Sequence, residues 1–297
     1  METGGTFLPV APSRFEREES RLKILAPAKI NLSLGVGPLR SDGFHDIDSV
    51  VCRIGLYDRI SLTHRCDGRI GFSSSGFNAG PDAENLAFLA AKKIAQGRGV
   101  EIHLEKMIPP GSGLGGGSSD AAAILIGLNE FLHLGMDTET LASHAAELGS
   151  DVPLFLGGPA ARIKGRGEVL EPVEIAPMTI VLHTPSIHCS TAEVYAKFDE
   201  MDPEVLFRMP AELLADPPSK WRDGLENQLT VPATFVSPEL SEKMELIRES
   251  TGIRPHLTGS GSGIFIPCDD DREAAEVISS FPGDLQVDSV AVRTNPW

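Results

Sequence analysis

The stretch Pro109-Pro110-Gly111-Ser112-Gly113-Leu114-Gly115-Gly116-Gly117-Ser118-Ser119-Asp120 runs without a break into Ala121-Ala122-Ala123-Ile124-Leu125-Ile126. Between Gly111 and Ser119 stand five glycines, three serines and one leucine. Such a loop has almost nothing with which to fill a core, while residues 121–126 are apolar and helix-forming. A loop this bare that opens a buried helix presents free backbone N–H groups at the positive end of the helix dipole. That is a place for an anion, and phosphate above all. A flexible linker has a similar composition, but it has no reason to lead directly into an apolar helix.

The loop is not a Walker A loop. Counting from Gly111, the position that needs lysine holds Gly117. The dinucleotide pattern Gly-x-Gly-x-x-Gly is literally present as Gly111, Gly113 and Gly116. The acid-terminated second strand it requires is absent, because Phe131–Thr140 leads into a helix. Two serines at the helix end and no lysine suit a triphosphate, since hydroxyls can bond phosphate oxygens or hold Mg²⁺.

Three further segments fit that reading. Lys29 and Asn31, two apart in a predicted strand, share one face, while Ile30 and Leu32 point the other way. A lysine on the inner face of an apolar segment is costly unless paired; a solvated strand face is the alternative. Asp151 follows a predicted helix over 138–148, closed by Gly149, and precedes Pro153. It can cap a short helix through Phe155, serve the chemistry, or do both. Leu257-Thr258-Gly259-Ser260-Gly261-Ser262-Gly263 is a second glycine-serine loop and reads as the other wall of a phosphate pocket.

Around these segments, strands are predicted at 22–25, 30–36, 47–54, 58–62, 100–106, 160–163, 179–184, 255–258, 263–267 and 286–292. Helices are predicted at 83–96, from the glycine loop to Leu132, and at 138–148, 203–214, 238–250 and 271–280. At 297 residues two domains are expected. The division is a disordered extension over 1–20, an N-terminal domain with the glycine loop over 21–162, and a C-terminal domain over 163–297.

Composition limits the function. A net charge of −16, from 26 basic and 42 acidic residues, argues against nucleic acid, which needs a basic face. It leaves room for an anionic small molecule held by local donors. No apolar run reaches the length of a membrane span, and no membrane partner is expected. Cys52, Cys66, Cys189 and Cys268 are far apart, which suits a reducing cytoplasm and suggests neither disulfides nor a zinc site. Residues 1–20 lack a signal-type apolar segment.

Six segments together carry a family resemblance: PAKINL (27–32), SDGFH (41–45), IPPGSGLGGGSSDAA (108–122), GSDVPLFL (149–156), GRGEVLE (165–171) and LTGSGSGIF (257–265). The chain resembles the GHMP small-molecule kinases over roughly residues 22–265. Within them it is similar to the 4-diphosphocytidyl-2-C-methyl-D-erythritol kinase family. The SSDAA ending and the Asp-Gly-Phe-His after the lysine strand set that family apart from homoserine, mevalonate and galactose kinases.

The resemblance implies an α+β fold in two lobes, an N-terminal lobe of the ribosomal protein S5 domain 2 type and a C-terminal ferredoxin-like lobe. It implies ATP and Mg²⁺, with a small cytidine-diphosphate-linked substrate. Lys29 and Asp151 match the catalytic pair. Pro109, Pro110, Gly111, Ser112, Gly113, Leu114, Gly115, Gly116, Gly117, Ser118 and Ser119 match the ATP loop. Asn31, Phe44, His45 and Tyr195 match substrate-binding positions, the aromatics around the cytosine. The metal's ligands stay open between Ser118, Ser119 and a shell of water alone. Asn227-Gln228-Leu229 departs from the family's usual Asn-Asp-apolar and is read as structural. A GHMP kinase with another acceptor is weighed against Phe44 and His45, since homoserine or mevalonate offers no base to stack. A non-catalytic nucleotide-binding protein is weighed against the presence of both Lys29 and Asp151.

Overall fold

Residues 7–8, 14–18, 20–201, 206–294 and 297 are described in a computed structural model. The chain begins with β1 (Phe7–Leu8) and β2 (Phe15–Glu18) and continues into two long strands, β3 (Arg21–Leu39) and β4 (His45–Arg65). Sequence patterning divides each long strand in two. In β3 the break falls at Ala26-Pro27-Ala28, which interrupts the apolar–polar alternation although the strand continues, buried on both faces, through Gly37. Register shifts at Pro27/Ala28 and Asn31/Ser33 bend the pair where the lysine sits.

Next come β5 (Ile70–Gly76), α1 (Leu86–Ile94), β6 (Gly99–Lys106), α2 (Gly116–Phe131), α3 (Thr138–Leu148), a 3₁₀ turn at Pro153–Leu156, β7 (Ala160–Gly165) and β8 (Val169–Pro172). The first sheet runs β2-β3-β4-β6-β5. On its edge away from β3, β4 serves two neighbours: its second half pairs with β6 and its first half with β7, which in turn pairs with β8. A core that includes Ile24, Leu62, Ile102, Ile124 and Phe155 lies between this sheet and its helices.

The second lobe contains β9 (Thr179–His183), α4 (Thr191–Glu200), α5 (Thr230–Val236), α6 (Pro238–Thr251), β10 (His256–Leu257), β11 (Ile264–Cys268), α7 (Asp271–Ser280), α8 (Gly283–Val287) and β12 (Ser289–Arg293). Its sheet order is β1-β12-β9-β11-β10. A third apolar cluster joins the lobes. Ala28, Ile30, Leu32 and Ile54 of the first sheet meet Ile180, Leu182, Phe265 and Val292 of the second.

Several expectations need correction. Residues 14–18 are not a loose extension: β2 adds to the edge of β3, and Leu25 N–H donates to Arg14 O at 3.0 Å. β1 lies beside β12 of the other lobe. The rest of the expected extension falls outside the described residues, apart from Ser20. We place the lobe boundary between Pro172 and Thr179 rather than at 162/163, because β7 and β8 are built onto β4. The predicted helix over 203–214 is a short 3₁₀ turn at Ala211–Ala215, with residues 202–205 outside the description. The predicted last strand starts late, because Gly283–Val287 is helical and only Ser289–Arg293 pairs. Gly149 closes α3 with φ at 168°, extended backbone that needs no glycine.

Candidate active site

The glycine loop lies between the end of β6 and the start of α2. Gly111, Gly113 and Gly115 all have φ between 71° and 73°, the left-handed region that favours glycine. Gly115 is the N-cap of α2 and provides no side-chain cap, so the first N–H groups of the helix stay available. The second glycine loop packs directly on the first. Gly263 N–H donates to Ser112 O at 3.0 Å, and a Cβ on Gly113 would come within 2.2 Å of Thr258 O.

A cavity of about 340 Å³ opens along this loop. Its walls include every residue from Pro109 to Ser118, and beyond them Asn78, Asn85, Leu86, Lys106 and Asp120. Ser119 is the exception among the predicted loop residues. It is fully buried and its hydroxyl has no partner among the described residues. A helix rotates successive side chains by about 100°, which puts Ser118 on the cavity wall and Ser119 inside.

Lys106 and Asp120 of the cavity wall belong to a buried charge cluster with Asp58, of which the sequence motifs include only Asp120. Lys106 Nζ donates to Asp120 Oδ2 at 2.7 Å and to Asp58 Oδ2. Asp58 Oδ1 also accepts from the N–H groups of Met107 and Ile108, at 2.6 and 2.8 Å. Burial opposes the charge on Lys106, yet Asp120 and Asp58 outweigh it and hold the ammonium above its ordinary pKa. Burial pushes the Asp120 carboxyl well up, and Lys106 offsets part of that. A signal for the lysine exists in the sequence: Val100, Ile102, Leu104 and Lys106 form one alternating face, so Lys106 points inward.

Lys29 lies under the loop, its N–H bonded to Leu114 O at 2.9 Å. The residue is 6% exposed, and its ammonium donates to Asn31 Oδ1 at 2.6 Å. Asn31 is itself fixed, with Nδ2 donating to Ser49 Oγ at 2.8 Å and the backbone N–H to Thr258 Oγ1 at 3.0 Å. Burial pulls the Lys29 pKa below its ordinary value, and the charge of Asp151 counteracts this. Asp151 is exposed and makes no direct ion pair with Lys29 among the described residues. Nor does it cap the following turn, whose N-cap is Val152 and carries no side-chain cap. The two candidates are therefore near enough for the charge of Asp151 to act on Lys29, without a direct contact.

His45 and Tyr195 come together, ring centroids 5.1 Å apart, with Phe198 edge-on to His45 at 5.9 Å. His45 Nδ1 lies 2.8 Å from Gly37 O, and Nε2 lies 3.5 Å from Asp199 Oδ1. Burial, followed by the charge of Asp151, pushes the Tyr195 hydroxyl up to about 12, which places this cluster within reach of Asp151. α4 supplies Tyr195, Phe198 and Asp199. Its N-cap Ser190 accepts from Glu193 N–H at 3.4 Å. Phe44 stands apart from these rings. It is half exposed on the turn before β4, with the Arg166 guanidinium 3.6 Å above its ring. Asn227 proves structural: Nδ2 donates to Leu257 O and Gly259 O, both at 2.8 Å, and so steadies the second loop.

A helix with no side-chain cap over a glycine cradle, with a buried lysine beneath the loop and an exposed aspartate whose charge reaches that lysine, is the arrangement of a small-molecule kinase of the GHMP class. The GHMP kinases N terminal domain matches residues 85–159. A homoserine kinase from Cytophaga hutchinsonii shares the fold with a TM-score of 0.68 at 16% identity, covering 95% of this chain and 96% of its own.

Nearer relatives are more specific. A 4-diphosphocytidyl-2-C-methyl-D-erythritol kinase of Shouchella clausii is 36% identical over 82% of this chain and 85% of its own length. One of Alkaliphilus oremlandii is 37% identical over 86% and 91%. The crystal structure of a 4-(cytidine 5'-diphospho)-2C-methyl-D-erythritol kinase superposes with a TM-score of 0.75 at 33% identity, covering 92% of this chain and 99% of that one. The chain belongs to the 4-diphosphocytidyl-2-C-methyl-D-erythritol kinase family.

Proposed function

We infer that this enzyme transfers the γ-phosphoryl group of ATP to the 2-hydroxyl of 4-diphosphocytidyl-2-C-methyl-D-erythritol, a step of non-mevalonate isoprenoid precursor synthesis. The observation that carries the chemistry is the buried Lys29 ammonium under the glycine loop, held by Asn31 and within reach of the charge of Asp151. Loop 109–118 and the N-terminus of α2 hold the triphosphate through backbone N–H groups. Asp151 orients the acceptor hydroxyl and takes its proton as the oxygen bonds to the γ-phosphorus. The bond to the β–γ bridging oxygen breaks, and ADP leaves. Lys29 stabilises charge on the attacking oxygen and the transferring group. Positioning and charge stabilisation are most of what phosphoryl transfer requires.

When bound with ATP, Mg²⁺ neutralises phosphate charge. The residues present fit it: Ser118 and Asp120 line the cavity, and Asp120 Oδ1 is buried without a hydrogen-bond partner. These two residues would hold the ion or its water. His45 and Tyr195 form the cytosine site, and Asn31 reaches the acceptor from beside Lys29. Phe44 offers the base one face if Arg166 stays on the other.

The test is ADP release from Mg-ATP with the cytidine-linked acceptor, beside homoserine, mevalonate and an Asp151→Asn control. Release is expected with the cytidine compound alone, falling about 100-fold or more in the control as the general base is lost. Turnover of Asp151→Asn within about threefold of the parent would remove Asp151 from the mechanism.

A further inference from the structure

The segment that carries Asp151 is clasped from behind by two arginines. Arg53 is 2% exposed, and one of its terminal nitrogens, Nη2, donates to Leu154 O and to Gly157 O, both at 2.8 Å. Its guanidinium lies 5.9 Å from the centre of the Phe155 ring. Arg14, just ahead of β2, donates from Nη1 to Phe155 O at 3.1 Å. Three carbonyls of one short turn are thus held by two guanidiniums, and neither has a carboxylate partner among the described residues. Burial pulls Arg53 down to about 10. Burial and the neighbouring Arg53 pull Arg14 down to about 9, so both stay charged at neutral pH.

The clasped turn adjoins Asp151, Lys29 and the N-cap of α2. It starts two residues after Asp151, whose own carboxylate has no hydrogen-bond partner among the described residues to fix it. Its Phe155 ring tip would lie 3.0 Å from a Cβ on Gly115, and Lys29 Cγ would lie 3.1 Å from the same point. The ring therefore walls both the lysine and the helix N-cap. Arg53 is also the cross-strand neighbour of Lys29 in the β3–β4 pair. Arg14 lies upstream of the region, from about residue 22, on which the family likeness rests.

We propose that Arg14, delivered by the N-terminal strand, is a positioning residue for the phosphoryl transfer, acting with Arg53 through the Pro153–Leu156 turn to set Asp151 against Lys29. The proposal rests on the assigned activity for its kinetic readout and on backbone dynamics for an independent one.

Arg14→Met keeps the apolar stem and removes the donors; Arg14→Lys keeps a charge and a donor. The full-length proteins are compared by steady-state kinetics well below Tm and by amide hydrogen exchange. Arg14→Met is expected to lower kcat roughly tenfold or more, the scale of a small misplacement, with KM for ATP within about twofold. Arg14→Lys is expected to recover most of the loss. In an Asp151→Asn background Arg14→Met should cost little further, because the group it positions is gone. Exchange should quicken over residues 149–157 and not elsewhere. Unchanged kcat, a loss that adds in full to that of Asp151→Asn, or a fall in Tm with exchange raised throughout the lobe would each overturn the proposal. If the parent shows no turnover with the cytidine acceptor, the functional assignment fails, and localised exchange still decides the clasp.

Discussion

Replacing Asn31 with leucine probes the electrostatics of the centre. The substitution keeps the number and branching of side-chain heavy atoms and removes the acceptor at 2.6 Å from Lys29 Nζ, which has no other hydrogen-bond partner among the described residues. Ser49 also loses the bond it accepts from Asn31 Nδ2 but keeps its own to Ser33 O at 2.5 Å, so the lysine is the charged group that is left without a partner. A hydrogen bond to a charged group contributes about 1.5–3 kcal/mol. If that support is spent on holding the ammonium against the transferring phosphoryl, its loss lowers kcat roughly 10- to 100-fold. The pH dependence has a definite sign. Lys29 acts as a cation, so activity is present below its folded pKa and lost above it. Burial already lowers that pKa, and losing Asn31 lowers it further, because the charged form loses its acceptor. The alkaline limb of kcat against pH should therefore move to lower pH. Asn31→Asp, which adds a negative charge, should move it to higher pH. The assay is ADP release from pH 6 to 10 at saturating substrates. A leucine variant within about threefold of the parent, with its alkaline limb in place, would refute the claim that Asn31 holds Lys29 in its charged form.

Two further outcomes are expected. Gly113→Ala combines a left-handed φ of 73° with a Cβ 2.2 Å from Thr258 O. The two glycine loops must separate, and KM for ATP should rise by at least tenfold while KM for the acceptor changes less; equal change in both would mean general loosening. Phe44→Ala should weaken acceptor binding by roughly 1–3 kcal/mol, the scale of a stacked base, with ATP affinity unchanged. No change in acceptor KM would show that Arg166, rather than cytosine, is the partner of this ring.

The glycine loop is legible in the sequence because its composition admits few structures. The Lys29–Asn31 pair is legible because strand periodicity is strict enough to place two polar side chains together. Legibility fails where burial is two-sided. Ala26-Pro27-Ala28 interrupts the alternation, so β3 reads as two strands, and nothing in the pattern of Lys29, Asn31 and Ser33 shows that their face is covered as well. α4 escapes pattern reading for the opposite reason: Val194 and Phe198 are its buried residues, too few to mark an apolar stripe, and its Ser190 cap sits beside site residues. The Lys106 cluster is within reach of the β6 alternation, but the choice of Asp58 and Asp120 as partners depends on tertiary proximity. The Arg14 and Arg53 clasp depends on contacts more than 100 positions apart in sequence, which no local pattern can carry.

The apolar seam between the sheets has a mechanical consequence. Ile30, Ile54, Ile180, Leu182, Phe265 and Val292 close one dry interface, and the N-terminal segment has strands in both sheets. Opening the molecule along that seam would expose core to water, so its halves cannot work as jaws. The reacting groups must instead be brought together by short-range adjustments in the lining of the cleft: a guanidinium sliding off a ring, a few peptide groups turning toward a phosphate. Closure around the substrate in such a frame is the work of loops and side chains, not the swing of a lobe.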